Sequence, residues 1–383
     1  MKKCIILYTA NYCQKISNYF CVDDLLAKGV NVEFWNVGPI TINEKLSEVY
    51  SPGLIIKTII DKKTFEKNVE INKNEVFFSF INYAWFSFYI YRVLSKFNCD
   101  IAYCTSGVLP SLYSEGFLHR LKKMNPIQLF YGLRNRIYMI LKGMPIFKPS
   151  KYVLLSCNKA FSDYKTSPTT VSIGVNSGDY QSFLFSRNKQ VDGVGDKYVV
   201  YVDQYLPFHN DFILRGMKHI EASHFYAALN SFFKKIEERY NCEVVIAAHP
   251  SSVKYREYNY FDGRKIFYNK TASLISNSLG AIICNSTAIS FPVLEYKPVI
   301  IYTTDEIQEK YISLHTELFP QILGLKYLNL DAEKDCSFGF VDKDKYDSYR
   351  YAYLTTPVSE KVNNSDIIIS ILNNNYKKYI YHE

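Results

Sequence analysis

Short apolar runs and amphipathic helical stretches alternate along almost the whole chain. Residues 4–9, 31–35, 100–104, 152–157 and 170–174 read as strands, with a helix through 19–27 and longer helical segments between the others. A second alternation follows, with strands at 197–202, 242–248, 265–268, 281–284 and 298–303 and a long helix at 222–240. In that helix Phe225, Leu229, Phe232, Phe233 and Ile236 recur at helical spacing and read as core. Strands separated by helices pair in parallel, and a parallel sheet needs helices on both faces. The fold class is therefore α/β.

At 383 residues the chain exceeds what one hydrophobic core normally supports, so two Rossmann-like domains facing a cleft are expected. The polar, glycine-containing stretch 184–196 is the linker candidate, which places an N-terminal domain at 1–185 and a C-terminal domain at 197–360. The remainder, 361–383, carries an Ile-rich run that reads as a closing helix. With 48% hydrophobic and 21% charged residues, disordered and fibrous classes are excluded. Nine cysteines, odd in number, without CxxC spacing and often inside apolar runs, read as reduced cytosolic thiols rather than a disulfide framework or a zinc site. The apolar run near Met1 is too short for a signal peptide and reads as the first strand. The stretch 76–91 is shorter than a membrane span and reads as a buried or interfacial helix.

Polar groups cluster where these strands end. The strand 242–248 runs into His249, Pro250, Ser251 and Ser252, and ligands of open α/β sheets bind beyond the carboxyl ends of strands. The strand 281–284 runs into Asn285, Ser286 and Thr287 ahead of a helical segment 288–296, where backbone amides and hydroxyls suit a phosphate. Lys270 and Thr271 stand at another strand-to-helix junction, and Glu295 is a candidate for a ribose hydroxyl pair. Each also has a plain structural reading, as a turn histidine, a helix cap or a solvated acid. After strand 197–202, Asp203, His209 and Asp211 are titratable groups that suit a base; Asp203 ranks first, against the alternative of an Asx-turn.

Taken together, Asp203, the long helix, His249-Pro250, Lys270-Thr271 and Ser286-Thr287 with Glu295 resemble bacterial GT-B glycosyltransferases that use CMP-activated acidic sugars, of the sialyltransferase and Kdo transferase type. The resemblance covers roughly 197–305. It implies that His249 and the pair Ser286 and Thr287 hold the donor phosphate, that the second domain holds the nucleotide, and that the first receives a capsule or lipopolysaccharide glycan. The sialyltransferase acidic-acidic-Gly motif has its nearest match in Ser114-Glu115-Gly116, which lacks the first acid, so Glu115 joins Asp203 and His209 as a catalytic candidate. A transferase using a UDP- or other NDP-sugar is the alternative. No glycine-rich pyrophosphate or triphosphate loop is present, which favours a donor with one phosphate, a co-substrate rather than a resident cofactor, and no metal is expected. Asp342-Lys343-Asp344 spells DxD but lies in a charged loop.

The net charge of +8 is uneven. Between Glu115 and Asp163 there is no acid, while Arg120, Lys122, Lys123, Arg134, Arg136, Lys142, Lys148, Lys151 and Lys159 alternate with aromatic and aliphatic residues. This pattern suits an anionic membrane surface, giving a cytoplasmic protein docked peripherally on the inner face of the plasma membrane. The same residues suit single-stranded nucleic acid, but no recognised nucleic-acid module accompanies them and no such partner is expected.

Overall fold

The computed structural model describes residues 3–42, 48–105, 110, 133–134, 136–137, 147–163, 167–187, 189–209, 219–310, 317–332 and 335–381. The chain divides into two compact units. One comprises Met1–Val108, Tyr113–Gln181 and Tyr351–Glu383; the other comprises Leu109–Leu112 and Ser182–Arg350.

The first unit is built on β1 (Cys4–Tyr8), β2 (Val32–Asn36), β3 (Ile55–Thr58), β4 (Val76–Ser79), β5 (Asp100–Cys104), β6 (Tyr152–Leu155) and β7 (Val171–Gly174). Their spatial order is β3-β2-β1-β4-β5-β6-β7, with every pair parallel. Because side chains alternate across a strand, the sheet feeds two cores. Cys4, Ile6, Phe34, Phe78 and Ala102 meet α1 (Gln14–Phe20) and α2 (Val22–Ala27) on one face. Ile5, Leu7, Trp35, Phe77 and Ile101 meet α3 (Lys62–Ile71) and α4 (Phe88–Lys96) on the other.

Two sequence expectations change here. The single helix expected over 19–27 is two helices meeting at Cys21, whose φ of 50° ends the first and opens the second. The stretch 76–91 is not one helix: Val76–Ser79 is a central strand buried on both faces, and helix resumes only at Phe88. A continuous apolar run suits a buried parallel strand as well as a buried helix, and here the β-branched and aromatic content decides for the strand.

The second unit holds β8 (Tyr198–Val202), β9 (Glu243–Ala248), β10 (Ile266–Tyr268), β11 (Ala281–Ile283), β12 (Val299–Thr303) and β13 (Lys326–Asn329), in the order β10-β9-β8-β11-β12-β13 and again all parallel. The helix α5 (Gly178–Ser186) leads into it, so the division falls inside this helix and upstream of the expected 184–196 linker. α6 (Ala222–Tyr240) lays Phe225, Leu229, Phe232, Phe233 and Ile236 onto Val199, Tyr201, Val244, Ile246, Ile282 and Tyr302. α7 (Thr271–Ser276) crosses from β10 past β9 and β8 to reach β11, and α8 (Ser290–Leu294) follows β11. That crossing makes β8 and β11 the strands at which the winding of the sheet reverses. Asp342 accepts from the Lys345 amide at the start of α9 (Lys343–Tyr349), so the DxD triplet caps a helix.

The C-terminal segment returns to the first unit from Tyr351, earlier than the boundary at 360 expected from sequence. α10 (Asn364–Leu372) buries Ile367, Ile368, Ile371 and Leu372 in the core that holds Tyr19 and Phe20. The Asn364 amide locks the return: it donates to the carbonyls of Tyr19 (2.7 Å) and Asn176 (2.9 Å) and accepts from the Asn176 N–H (2.8 Å). Such buried polar groups persist because each finds a partner. Gly174, which ends β7, leaves room for the segment, since a Cβ there would stand 2.3 Å from Thr356 Oγ1 and 2.5 Å from Val358 Cγ2.

Much of the expected basic surface lies outside the described residues, including Arg120, Lys122, Lys123 and Lys142. Of its described members, Lys148 and Lys151 both pair with Asp100, at 3.2 and 2.7 Å, and the Arg134 guanidinium lies over the Trp85 ring. Asp100 thus engages two of the lysines invoked for lipid and offsets one of their two charges. No helix among the described residues is long and apolar enough to cross a membrane.

Candidate functional site

In a parallel sheet all carboxyl ends lie on one edge, and the strand order puts the polar termini of the second unit in a row. Lys270 and Thr271 follow β10, His249 to Ser252 follow β9, Asp203 and Gln204 follow β8, and Asn285 to Thr287 follow β11. β9 and β11 flank β8, so their ends stand roughly 10 Å apart. His249 and Ser286 therefore share one sheet edge, on either side of β8.

Asp203 organises the β8–β9 half. It is 3% exposed, its Oδ1 accepts from the Tyr205 N–H (2.9 Å) and the Tyr255 hydroxyl (3.1 Å), and its Oδ2 accepts from the His249 N–H (3.3 Å). The first of these closes an Asx-turn that holds Tyr205 in the left-handed region at φ 56°. Tyr255 also shares a 2.8 Å hydrogen bond with Tyr226 of α6, which anchors the carboxylate to the core. Burial pushes the Asp203 carboxyl up to about 6, against the pull of the Tyr205 and His249 amides and the Tyr255 hydroxyl. With both oxygens engaged, Asp203 fixes the backbone at His249 and closes the turn that its Asx-turn reading expects.

His249 is half-buried, and its Nδ1 accepts from the Ser251 N–H at 3.2 Å, so the neutral ring carries its proton on Nε2. Ser252 is buried and its amide donates to the His249 carbonyl at 3.0 Å, while Pro250 and Ser251 are exposed in the same turn. The His209 ring lies 5.2 Å from that of His249. His209 also borders a cavity of about 770 Å3 that Ser251 lines as well. The structure thus gathers Asp203, His209, His249, Pro250, Ser251 and Ser252.

On the other side of β8 the bridging residue is Gln204, which sequence reasoning missed. Its side-chain oxygen accepts from the Asn285 N–H at 2.7 Å and its side-chain nitrogen donates to the Asn285 carbonyl. Both backbone groups of Asn285 are satisfied by one amide, across the strand pair where the winding reverses. Ser286 accepts from the Ala288 N–H at 3.2 Å, so it caps the short helical turn Thr287–Ile289, and Thr287 is exposed beside it. Lys270 and Thr271 open α7 behind the edge strand β10.

Glu295 does not join this edge. It follows α8 and precedes β12, so it lies at the opposite end of a helical stretch on the order of 12 Å long. Its Oε1 accepts from Ser276 Oγ at 2.5 Å, tying the far ends of α7 and α8 together. The contact the structure gives Glu295 is thus one between two helices. Glu115 and Asp211 lie outside the described residues.

No family model matches the sequence, and no curated protein matches it. Solved structures do. A variant of the wall teichoic acid polymerase TagF aligns at a TM-score of 0.53 with 12% identity, covering 98% of this chain and 89% of that one. A second TagF variant aligns at 0.51 with 12% identity, over 100% and 90%. The UDP-GlcNAc 2-epimerase of Methanocaldococcus jannaschii aligns at 0.46 with 13% identity, over 98% and 100%. The fold is GT-B, with two Rossmann-like units. What such a fold carries is decided by the site grafted onto it.

Proposed function

We propose that the chain is a glycosyltransferase that takes a nucleotide-activated sugar on the carboxyl edge of the second sheet, and that its donor is a CMP-linked acidic sugar of the sialic acid or Kdo type destined for a surface glycan. The observation that carries this reading is the row of donors at the reversal of the second sheet: the His249 turn on one side of Gln204 and the Ser286–Thr287 turn on the other. The turn amides are spent on holding the turns, and the groups these turns present, the His249 imidazole and the hydroxyls of Ser251, Ser286 and Thr287, suit one phosphate, whose developing charge they stabilise as the sugar leaves. A nucleotide-activated partner is further supported by the TagF structure soaked with CDPG (CDP-glycerol), which aligns at a TM-score of 0.50 and whose ligand carries two phosphates, as in the alternative NDP-linked class. In this reading His249 contacts the phosphate, and Asp203 holds the turn that presents it.

The test is a thermal-shift panel of CMP, UDP, GDP and dTDP. CMP is expected to raise Tm by stabilising only the native state, and His249→Ala is expected to weaken CMP binding roughly tenfold or more. A shift with UDP and none with CMP moves the donor to the alternative class; no shift with any nucleotide overturns the reading.

A further inference from the structure

The cavity of about 770 Å3 beside the His249 turn falls in the range of small-ligand sites. Among its described lining residues are His209, His219 and Lys254, the Ser251 hydroxyl, and the aromatic side chains of Tyr205 and Phe208. No Asp or Glu stands among the described lining residues. Lys254 and two histidines thus border one hollow together with a hydroxyl and two aromatic rings, a set of donors that suits an anionic ligand. The Lys254 ammonium is fixed in direction, 3.9 Å from the centre of the Phe208 ring. The Lys254 amide donates to the Tyr205 hydroxyl at 3.4 Å, which ties the lysine's backbone to the aromatic wall. The half-apolar lining suits the face of a sugar ring better than a bare inorganic ion. His209 connects the cavity to the cradle, because its ring is 5.2 Å from that of His249.

We propose that this cavity is the subsite for a carboxylate-bearing sugar, with Lys254 and His219 holding the carboxylate and Phe208 forming the apolar wall. The inference rests on the donor reading above and names the part of the donor that reading left unplaced. A ligand whose phosphate meets His249 places the group bonded to that phosphate next to His209, at the entrance of the cavity. The neighbourhood of His249 therefore separates two tasks: strand-end donors take the phosphate, and the loop cations take the acid of the sugar.

The experiment uses the full chain and two probes, N-acetylneuraminate and the neutral sugar N-acetylmannosamine, followed by saturation-transfer NMR, with CMP titrated separately. The acid is expected to bind at least about tenfold more tightly than the neutral sugar, and Lys254→Gln and His219→Gln are each expected to cost about tenfold for the acid while leaving CMP affinity and Tm unchanged. Equal binding of the two sugars, or unchanged acid binding in both variants, overturns the subsite whatever CMP does. Retained preference for the acid in a chain that binds no CMP overturns the donor reading and leaves the subsite standing. If a variant loses Tm as well, Lys254→Met and His219→Asn provide the replacement pair, judged by the same two outcomes.

Discussion

The two sheets share their winding, with two strands laid out to one side of the opening strand and the rest to the other, yet they finish differently where the winding reverses. In the first unit the backbone closes the junction: the Phe80 N–H beyond β4 donates to the Leu7 carbonyl of β1 at 3.0 Å. Phe80 is then roofed by Tyr8 and Tyr19, with ring centres 5.9 and 5.0 Å away. In the second unit the junction is spanned by a side chain, Gln204, which reaches the backbone of Asn285. Beyond the paired strands the two chain segments are joined by this side chain, and polar turns occupy the rim. The same topology thus yields a junction sealed by backbone in one half and a junction furnished with side chains in the other. Ligand chemistry follows the terminal residues of the strands, not the order of the strands.

The contrast can be broken most forcefully at the sealed unit. Gly174→Val drives side-chain atoms into Thr356 and Val358 and is expected to destabilise the first unit by about 3 kcal/mol, the upper end of the overpacking range. Hydrogen exchange in β1 to β7 should quicken while β8 to β13 hold their protection. In the furnished unit, Asp203→Ala strips acceptors from two amides and a buried hydroxyl, at a cost of about 2 to 3 kcal/mol, and exchange should report it in β8 and β9.

The pH dependence of Asp203 sharpens the same point. Its carboxyl is raised in the folded chain from an ordinary 3.8 to about 6, so the folded state holds the proton more tightly than the unfolded one. That contribution is fully present below about 3.8 and is lost as pH rises through about 6. Asp203→Asn removes it, so the stability difference between parent and variant should change by roughly 2 to 3 kcal/mol between pH 4 and 7, read from urea midpoints. A smaller effect is expected for Gln204→Ala, about 1 to 2 kcal/mol, with faster exchange at the Asn285 amide. Smallest is Lys151→Gln, at most about 1 kcal/mol because its partnership with Asp100 is part-exposed, measured by the same urea midpoints.

The β8-to-β12 alternation was legible because buried parallel strands are continuous apolar runs; residues 222–240 match α6 end for end. The edge strands β3 and β13 carry Lys57, Thr58, Lys326 and Asn329, which dilute that signal, and neither was foreseen. His249 and the Ser286 turn were legible because strand-terminal polar residues stand out against apolar neighbours. Gln204 was not, since its partner lies 81 residues away and nothing local marks an amide that bridges two strands. The Asx-turn at Asp203 was legible from its place after a strand, whereas its distant partners were not: local sequence records a carboxyl at a strand end but not the Tyr255 hydroxyl or the His249 amide that it accepts from. The Ile-rich helix was legible as a helix, whereas the sheet it covers was not, because amphipathic spacing states that a face is buried and not against what.

The return of Tyr351–Glu383 also sets an order of assembly on the ribosome. The strands of the second unit are contiguous within Ser182–Arg350 and are complete before the last segment emerges. The earlier-synthesised half must wait for Ile367, Ile368 and Ile371 to cover Tyr19 and Phe20, so the nascent amino-terminal sheet stays unlidded while its younger neighbour matures. The half that is translated first is therefore the half that is finished last.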